Sequence, residues 1–510
     1  MYRKKDDLQI LIDTMSPAEK RHFVQFSGSR GKKGTSLYLH LFEQLCKGEE
    51  PVIKSASPQG LIITKRTLYQ NILRSLISYR ATGTEANLEN MLLEVEILYD
   101  RNLLDQSVRV LYKAKNEAGK QEKYGLIIQL LEWERKISAL SDTPHRTIAQ
   151  IAEEEQTVAD CLNNIFDLER LFSKTIEYKR KYGYIRGDFS QQFYTEIIYN
   201  PLLETTENCL SQKALYYFYY AKALSYFMVF DYDGSYKNSK MLLSADRNII
   251  PLHDYLNGVL HHTTSCICLG LFEETLEYLQ LSQILINEKQ LDLFNILSLK
   301  VFYYRSNYEM ICSMYMGETE RTKTKIQEIE ESLIKFKERV PYEMRQVINS
   351  GLRNGYMSIG SGKNVNRIID EMLNKETKLT RNDIYDDLML FRLIWLIQDR
   401  TYEIIPSVAL STYRYYSGYN CDDNKYTLEL KISKLLTKDY DYTSAKELMA
   451  LLSEIKKMLS DYIKELNPRT HVLEHCSYYL IWINGLIKGD EFCKEAKVWY
   501  ETFTPDVNVL

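Results

Sequence analysis

Proline and glycine are scarce in this chain, 10 and 21 among 510 residues. An all-β protein needs turn residues at short, regular intervals, so this scarcity argues against one. Cysteine is scattered: nine residues and no C-x-x-C pair. An odd count without regular spacing excludes a disulfide framework and predicts free thiols in a reducing cytosol. No stretch approaches the roughly 18 uninterrupted apolar residues of a membrane span. The opening MYRKKDDLQILIDTM breaks its apolar run at Asp13, which argues against a secretory leader. Neither sign of charge prevails. A net charge of −4 gives no global electrostatic reason to bind nucleic acid. These absences together predict a cytoplasmic protein with no membrane contact.

What is present is helix, from end to end, and tyrosine, 40 residues of it. Tyrosine joins a large apolar ring to a polar tip, so it suits half-buried helix faces and binding surfaces. The first strong helix signal is Ser16-Pro17-Ala18-Glu19: a capping residue, a proline at the first helical position and an acid that closes a capping box. Phe23 and Phe26 then point inward. Residues 48–63 read as a linker. Leu68, Ile72, Leu76 and Tyr79 form one stripe of a further helix. Residues 1–82 are therefore expected to form a helical cap, ended near ATGTEAN at 81–87.

Beyond it, from 83 to 510, the chain falls into pairs of helices. A long helix is expected near 144–181, started by Thr143 and Pro144. Inner turns fall near Asp231–Ser235, Leu269–Leu271, Met316–Thr319, Gly360–Lys363, Gln398–Thr401, Lys438–Tyr442 and Lys488–Asp490. Spacings of this size are those of two-helix solenoid repeats. The stretch LGLFEETLEYL at 269–279 carries the clearest unit. Gly270 sits in the turn, Phe272 follows it, and Thr275 and Ser282 are small residues spaced along the next helix. This resembles the tetratricopeptide (TPR) unit. Asn102, Leu104, Ser107 and Ala114 make a second match, with Asn102 in the glycine place. Gly317 and Thr322 fit more loosely, and Arg367 stands where a small residue is expected. The N-terminal pattern SPAEKRHF, LYLHLFEQL and LYQNILRSLISY is also similar to a group of uncharacterised bacterial helical-repeat proteins. The resemblance implies an all-α fold: an α-solenoid of TPR-like antiparallel helix pairs behind the cap.

The candidate chemistry is thin. His471-Val472-Leu473-Glu474-His475 matches the H-x-x-E-H string of inverted zinc peptidases, yet the chain offers only 35 further residues for the third ligand. In HHTTSCIC, His262 and Cys266 share a helix face. Cys268 does not, because two residues turn a helix by about 200°. One helix cannot close that set, so a buried structural Cys266 is expected and no metal site. GSRGKKGTS at 28–36 has the wrong order for a phosphate loop. The basic helix with Lys65, Arg66, Arg74 and Arg80 follows too long a link for a helix-turn-helix. No catalytic residue and no cofactor are expected.

The tyrosine clusters LYYFYYAKALSYF (215–227), FYYRSNY (302–308) and TYRYYSGY (412–419) remain. In TPR-like arrays the first helix of each pair lines a concave groove. The resemblance then implies that Asn257, Leu260 and Thr264 face a protein or peptide partner. A looser alignment adds Tyr217, Tyr220, Tyr304 and Asn307. The expected function is a non-enzymatic interaction scaffold or adaptor. The alternative is a regulator that touches nucleic acid through the basic cap. Trp482 and Trp499 fit either a terminal core or self-association through the last helices.

Overall fold

The computed structural model describes residues 7–28, 35–49, 58–80, 84–140, 145–182, 189–289, 291, 295–336, 339–373, 382–418, 426–465 and 475–502. Among them no strand occurs, and the fold is all-α. No helix among them is long and apolar enough to cross a membrane. Two compact units are distinguished, Met1–Leu162 and Asn163–Leu510.

The first unit opens with α1 (Asp7–Thr14), α2 (Pro17–Gly28), α3 (Thr35–Cys46) and α4 (Pro58–Arg80), the helices of the expected cap. The capping box at α2 is formed in both directions. Ser16 N–H donates to Glu19 Oε2 at 2.8 Å, and Glu19 N–H to Ser16 Oγ at 3.2 Å. Leu8, Ile12, Phe23, Leu41, Phe42, Leu68 and Ile72 make the core. Phe26 and Leu76 are half-buried and Tyr79 is exposed, so the inward stripes are shorter than their spacing suggested. The linker is also shorter, because α4 already begins at Pro58.

Next come α5 (Thr84–Asp100), α6 (Leu104–Lys120), α7 (Tyr124–Leu140) and the long α8 (Ile148–Tyr182). Residues 141–144, with Thr143 and Pro144, lie outside the described residues. The cap of α8 is Thr147: its Oγ1 accepts from Gln150 N–H at 3.2 Å while Gln150 Oε1 accepts from Thr147 N–H at 3.0 Å. A capping box therefore starts this helix a few residues later than the proline signal implied.

The second unit holds the C-terminal part of α8, then α9 (Phe189–Phe193), α10 (Gln212–Met228), α11 (Tyr232–Leu242), α12 (Leu252–Cys268), α13 (Phe272–Glu288), α14 (Ile296–Tyr315) and α15 (Thr319–Phe336). It continues with α16 (Tyr342–Ser358), α17 (Gly362–Met372), α18 (Asn382–Gln398), α19 (Ile405–Ser417), α20 (Thr427–Leu436), α21 (Ala445–Glu465), α22 (His475–Lys488) and α23 (Phe492–Thr502). From α10 on, consecutive helices contact one another, and α10, α12, α14 and α16 also contact in series.

One turn recurs along the chain. Asn102, Glu122, Phe230, Gly270, Gly317, Gly360, Arg400 and Gly489 each have φ between +50° and +74° and each separates two helices. At Gly270 the bonds are Leu271 N–H to Cys266 O at 3.0 Å and Gly270 N–H to Ile267 O at 3.1 Å. That is the Schellman pattern, which satisfies the last carbonyls of a helix and reverses the chain. Five residues after the left-handed position the side chain is buried at Ser107, Ile127, Ser235, Thr275, Thr322, Val365 and Ile405, while Lys494 after Gly489 is exposed. Arg367 is exposed instead, so the small-residue register of that pair was misplaced by two.

A left-handed conformation costs an L-residue roughly 1–2 kcal/mol. Gly270→Ala is therefore expected to lower stability by about that amount. Arg400→Gly, at an exposed position, should raise it by up to about 1 kcal/mol. Urea unfolding of the two variants checks both signs; equal stability of Gly270→Ala and the parent would rule out the left-handed turn.

Packing in the second unit is not confined to sequence neighbours. Helix α23 lies against α14 and α16. Phe272 stands 4.7 Å from Tyr500 and Tyr315 5.8 Å from Trp499 between ring centres. Trp482 is 2% exposed and packs on Phe391 at 4.9 Å. The terminal tryptophans thus take part in this core.

Candidate functional site

The residues expected to line a groove lie on α10, α12 and α14, and the structure brings most of them into one seam. Tyr217, Leu260 and Asn307 are buried, at 6%, 1% and 8% exposure. Tyr220, Asn257, Thr264 and Tyr304 are half-buried. Tyr220 OH donates to the Asn257 carbonyl at 3.2 Å. Lys300 Nζ donates to Asn257 Oδ1 at 2.5 Å. Thr264 Oγ1 and Tyr308 OH share a hydrogen bond of 3.0 Å, and the Tyr308 ring meets Tyr304 edge-on at 5.5 Å. Asn307 turns inward: its Nδ2 donates to Tyr303 O at 2.9 Å, and a Cβ at Gly351 would come within 2.8 Å of its Oδ1. It serves the contact of α14 with α16.

Burial pushes the phenols of Tyr220, Tyr304 and Tyr308 above their ordinary range, so they stay protonated donors. The same burial holds the Lys300 ammonium below its ordinary value. One end of the seam is covered by the chain itself. Phe172 of α8 lies 4.3 Å from Tyr220 and 5.9 Å from Tyr217 between ring centres. Phe172 lies on the long helix expected near 144–181, but no local spacing pairs it with Tyr220.

A second group forms where α12 turns into α13. His262 and Cys266, one turn apart, are both fully buried. Glu274, in the first turn of α13, completes a set whose donor atoms all lie within 4.8 Å of one another. One helix does not close the set, as its geometry required; the third donor comes from the next helix. The signal was in the sequence, since Glu274 follows Gly270 by four residues, but only the turn angle swings it back over Cys266. Cys268 is not part of the group. Burial holds His262 down to about 4 and His261 to about 3, so both imidazoles are neutral at pH 7. Burial pushes the Cys266 thiol up.

Residues 471–474 of the H-x-x-E-H string, residues 29–34 of the glycine-lysine loop, and Arg3, Lys4 and Lys5 lie outside the described residues. In the cap, Arg21, Arg66 and Arg74 are exposed. Comparison of the chain with protein-family models, with curated proteins and with solved structures yields no match.

Proposed function

We propose that the chain is a non-enzymatic protein–protein interaction scaffold, built of TPR-like helix pairs that stack as a solenoid and receive a helix of a partner. The supporting observation is the seam across α10, α12 and α14. It offers half-exposed rings, amides and hydroxyls along three first helices of successive pairs. The chain's own α8 already uses this mode of contact, with Phe172 seated on Tyr220. An apolar side chain on a helix, framed by polar groups, is the kind of anchor such grooves take.

Lys300→Glu reverses the cation in the seam. It is expected to weaken capture of a protein partner from source lysate by at least about tenfold, or roughly 1.4 kcal/mol. Thermal unfolding should stay near that of the parent. Undiminished capture by a folded Lys300→Glu chain refutes the seam as the site. The second reading, a regulator that contacts nucleic acid, draws on the exposed Arg21, Arg66 and Arg74 of α2 and α4. Its mark would be capture lost on nuclease treatment and in the triple variant R21E/R66E/R74E, with steep dependence on salt.

A further inference from the structure

His262 has an unusual hydrogen-bond balance. Its Nδ1 lies 2.8 Å from Ser239 Oγ. Ser239 spends its single hydroxyl proton on the Tyr236 carbonyl, at 3.0 Å. With that proton on the carbonyl, Ser239 Oγ accepts and Nδ1 carries the imidazole proton; in the other tautomer Ser239 donates to Nδ1 and Nε2–H faces Glu274. The first tautomer leaves a lone pair on Nε2. Nε2 is fully buried and has no hydrogen-bond partner. Its nearest polar neighbour is Glu274 Oε1 at 3.5 Å, too long for a normal N–H···O bond. In the first tautomer two lone-pair atoms face each other in a desolvated place, with Cys266 Sγ beside them. Such a pair is stable only with a cation or a proton between them.

The His262–Glu274 spacing suits a cation. Nitrogen and oxygen ligands at about 2.0–2.1 Å from a tetrahedral ion stand ~3.4 Å apart. The donor chemistry, imidazole with thiolate and carboxylate, is that of zinc and its neighbours rather than of calcium or magnesium. The surroundings orient each ligand. Ser239 sets the imidazole ring, as a second-shell partner does in metal sites. Tyr236 OH donates to both carboxylate oxygens of Glu274, at 3.1 and 3.0 Å. Lys240 is the opposing charge: its Nζ lies 2.8 Å from Tyr236 OH and 3.9 Å from Glu274 Oε1. A thiolate and a carboxylate together balance a divalent ion, and Lys240 then adds one positive charge beside the site, held off Glu274 at 3.9 Å by its bond to Tyr236. The rings of Tyr278 and Tyr236 wall His262 at 4.5 and 5.1 Å. Glu274, at 25% side-chain exposure, is the side open to solvent.

We propose that His262 Nε2, Cys266 Sγ and the Glu274 carboxylate bind one divalent transition-metal ion of the zinc class, with water as the fourth ligand on the Glu274 side. Binding converts the Cys266 S–H to an S–metal bond and releases the thiol proton to solvent. The ion joins α12 to α13 across the Gly270 turn, and through Ser239 and Tyr236 it reaches α11. The site is independent of the seam on α10, α12 and α14.

The test is a Co²⁺ titration of the full-length, untagged chain after chelator treatment. One equivalent of Co²⁺ should produce a near-ultraviolet thiolate-to-cobalt charge-transfer band that Zn²⁺ abolishes. Cys266→Ser should lose the band. Glu274→Gln and Ser239→Ala, which keep the side-chain volume nearly unchanged, should keep the helical circular dichroism of the parent. Ser239→Ala should bind about 10- to 100-fold more weakly, and Glu274→Gln at least as weakly. No band in excess Co²⁺, a band that survives Cys266→Ser, or parental affinity in both Glu274→Gln and Ser239→Ala would each overturn the assignment.

Discussion

Asp387→Ala is expected to lower the unfolding free energy of the second unit by about 3–5 kcal/mol. Arg353 is 1% exposed, and its Nη2 donates to Asp387 Oδ2 at 2.6 Å. The guanidinium lies 3.8 Å from the centre of the Phe391 ring. Tyr479 OH donates to Asp387 Oδ1 at 2.7 Å. Removing the carboxylate leaves a buried cation beside an aromatic face and a buried phenol that loses its 2.7 Å carboxylate acceptor and keeps the 3.3 Å bond to the carbonyl of residue 387. The desolvation already spent on the guanidinium is then uncompensated. Replacing both partners with apolar residues, as in R353M/D387L, should recover most of the loss, because no buried charge remains. Urea unfolding of the single and double variants measures both. A loss below about 1 kcal/mol for Asp387→Ala would mean that water reaches the guanidinium.

Phe272→Ala should be nearly as damaging, at about 3–5 kcal/mol. Phe272 is fully buried. It follows the Gly270 turn, where the TPR resemblance puts an aromatic plug between two helices. In this chain the ring also meets Tyr500 on α23 at 4.7 Å and Tyr315 on α14 at 5.6 Å. The cavity left by truncation therefore opens toward three helices at once. Beyond the global loss, amide exchange in residues 492–502 should accelerate before that in α12 and α13. If α23 exchanges as slowly as in the parent, its docking on Phe272 contributes little.

These two sites also show where sequence reasoning runs out. Phe272, Thr275 and Ser282 were legible as interior residues because their spacing from Gly270 is local, and all three are fully buried. Asn102 was legible as a glycine substitute, since Asn tolerates the left-handed region, and its φ is +58°. Phe230 and Arg400 hold the same conformation, yet neither residue type signals it. The same turn bonds accompany it there, Asp231 N–H to Tyr226 O at 2.9 Å and Thr401 N–H to Leu396 O at 3.0 Å. The partner of Phe272 on α23 was not legible at all, because nothing in a helical period says which distant helix covers a buried face.

The tyrosines make the same point. Their abundance announced half-buried helix faces, but not what the hydroxyls would meet. Many find a carboxylate on another helix: Tyr112 with Glu134, Tyr178 with Glu196, Tyr236 with Glu274, Tyr415 with Asp386 and Tyr479 with Asp387. A ring that packs and a tip that bonds can tie two helices without burying an unpaired polar group.

By itself, the sequence determined what depends on neighbours along the chain. Capping boxes, helix periods, scarce proline and the glycine turns specify an all-helical protein and the order of its helix pairs. Those signals act over three to five residues, so they can be read without the fold. Tertiary structure decided what depends on direction. The left-handed residue at each turn sets the angle between helices, and that angle brings Glu274 over His262 and Cys266. Helix–helix packing seats Phe172 on Tyr220 and α23 on α14. Such contacts follow from the shapes of whole faces, and no local spacing encodes them.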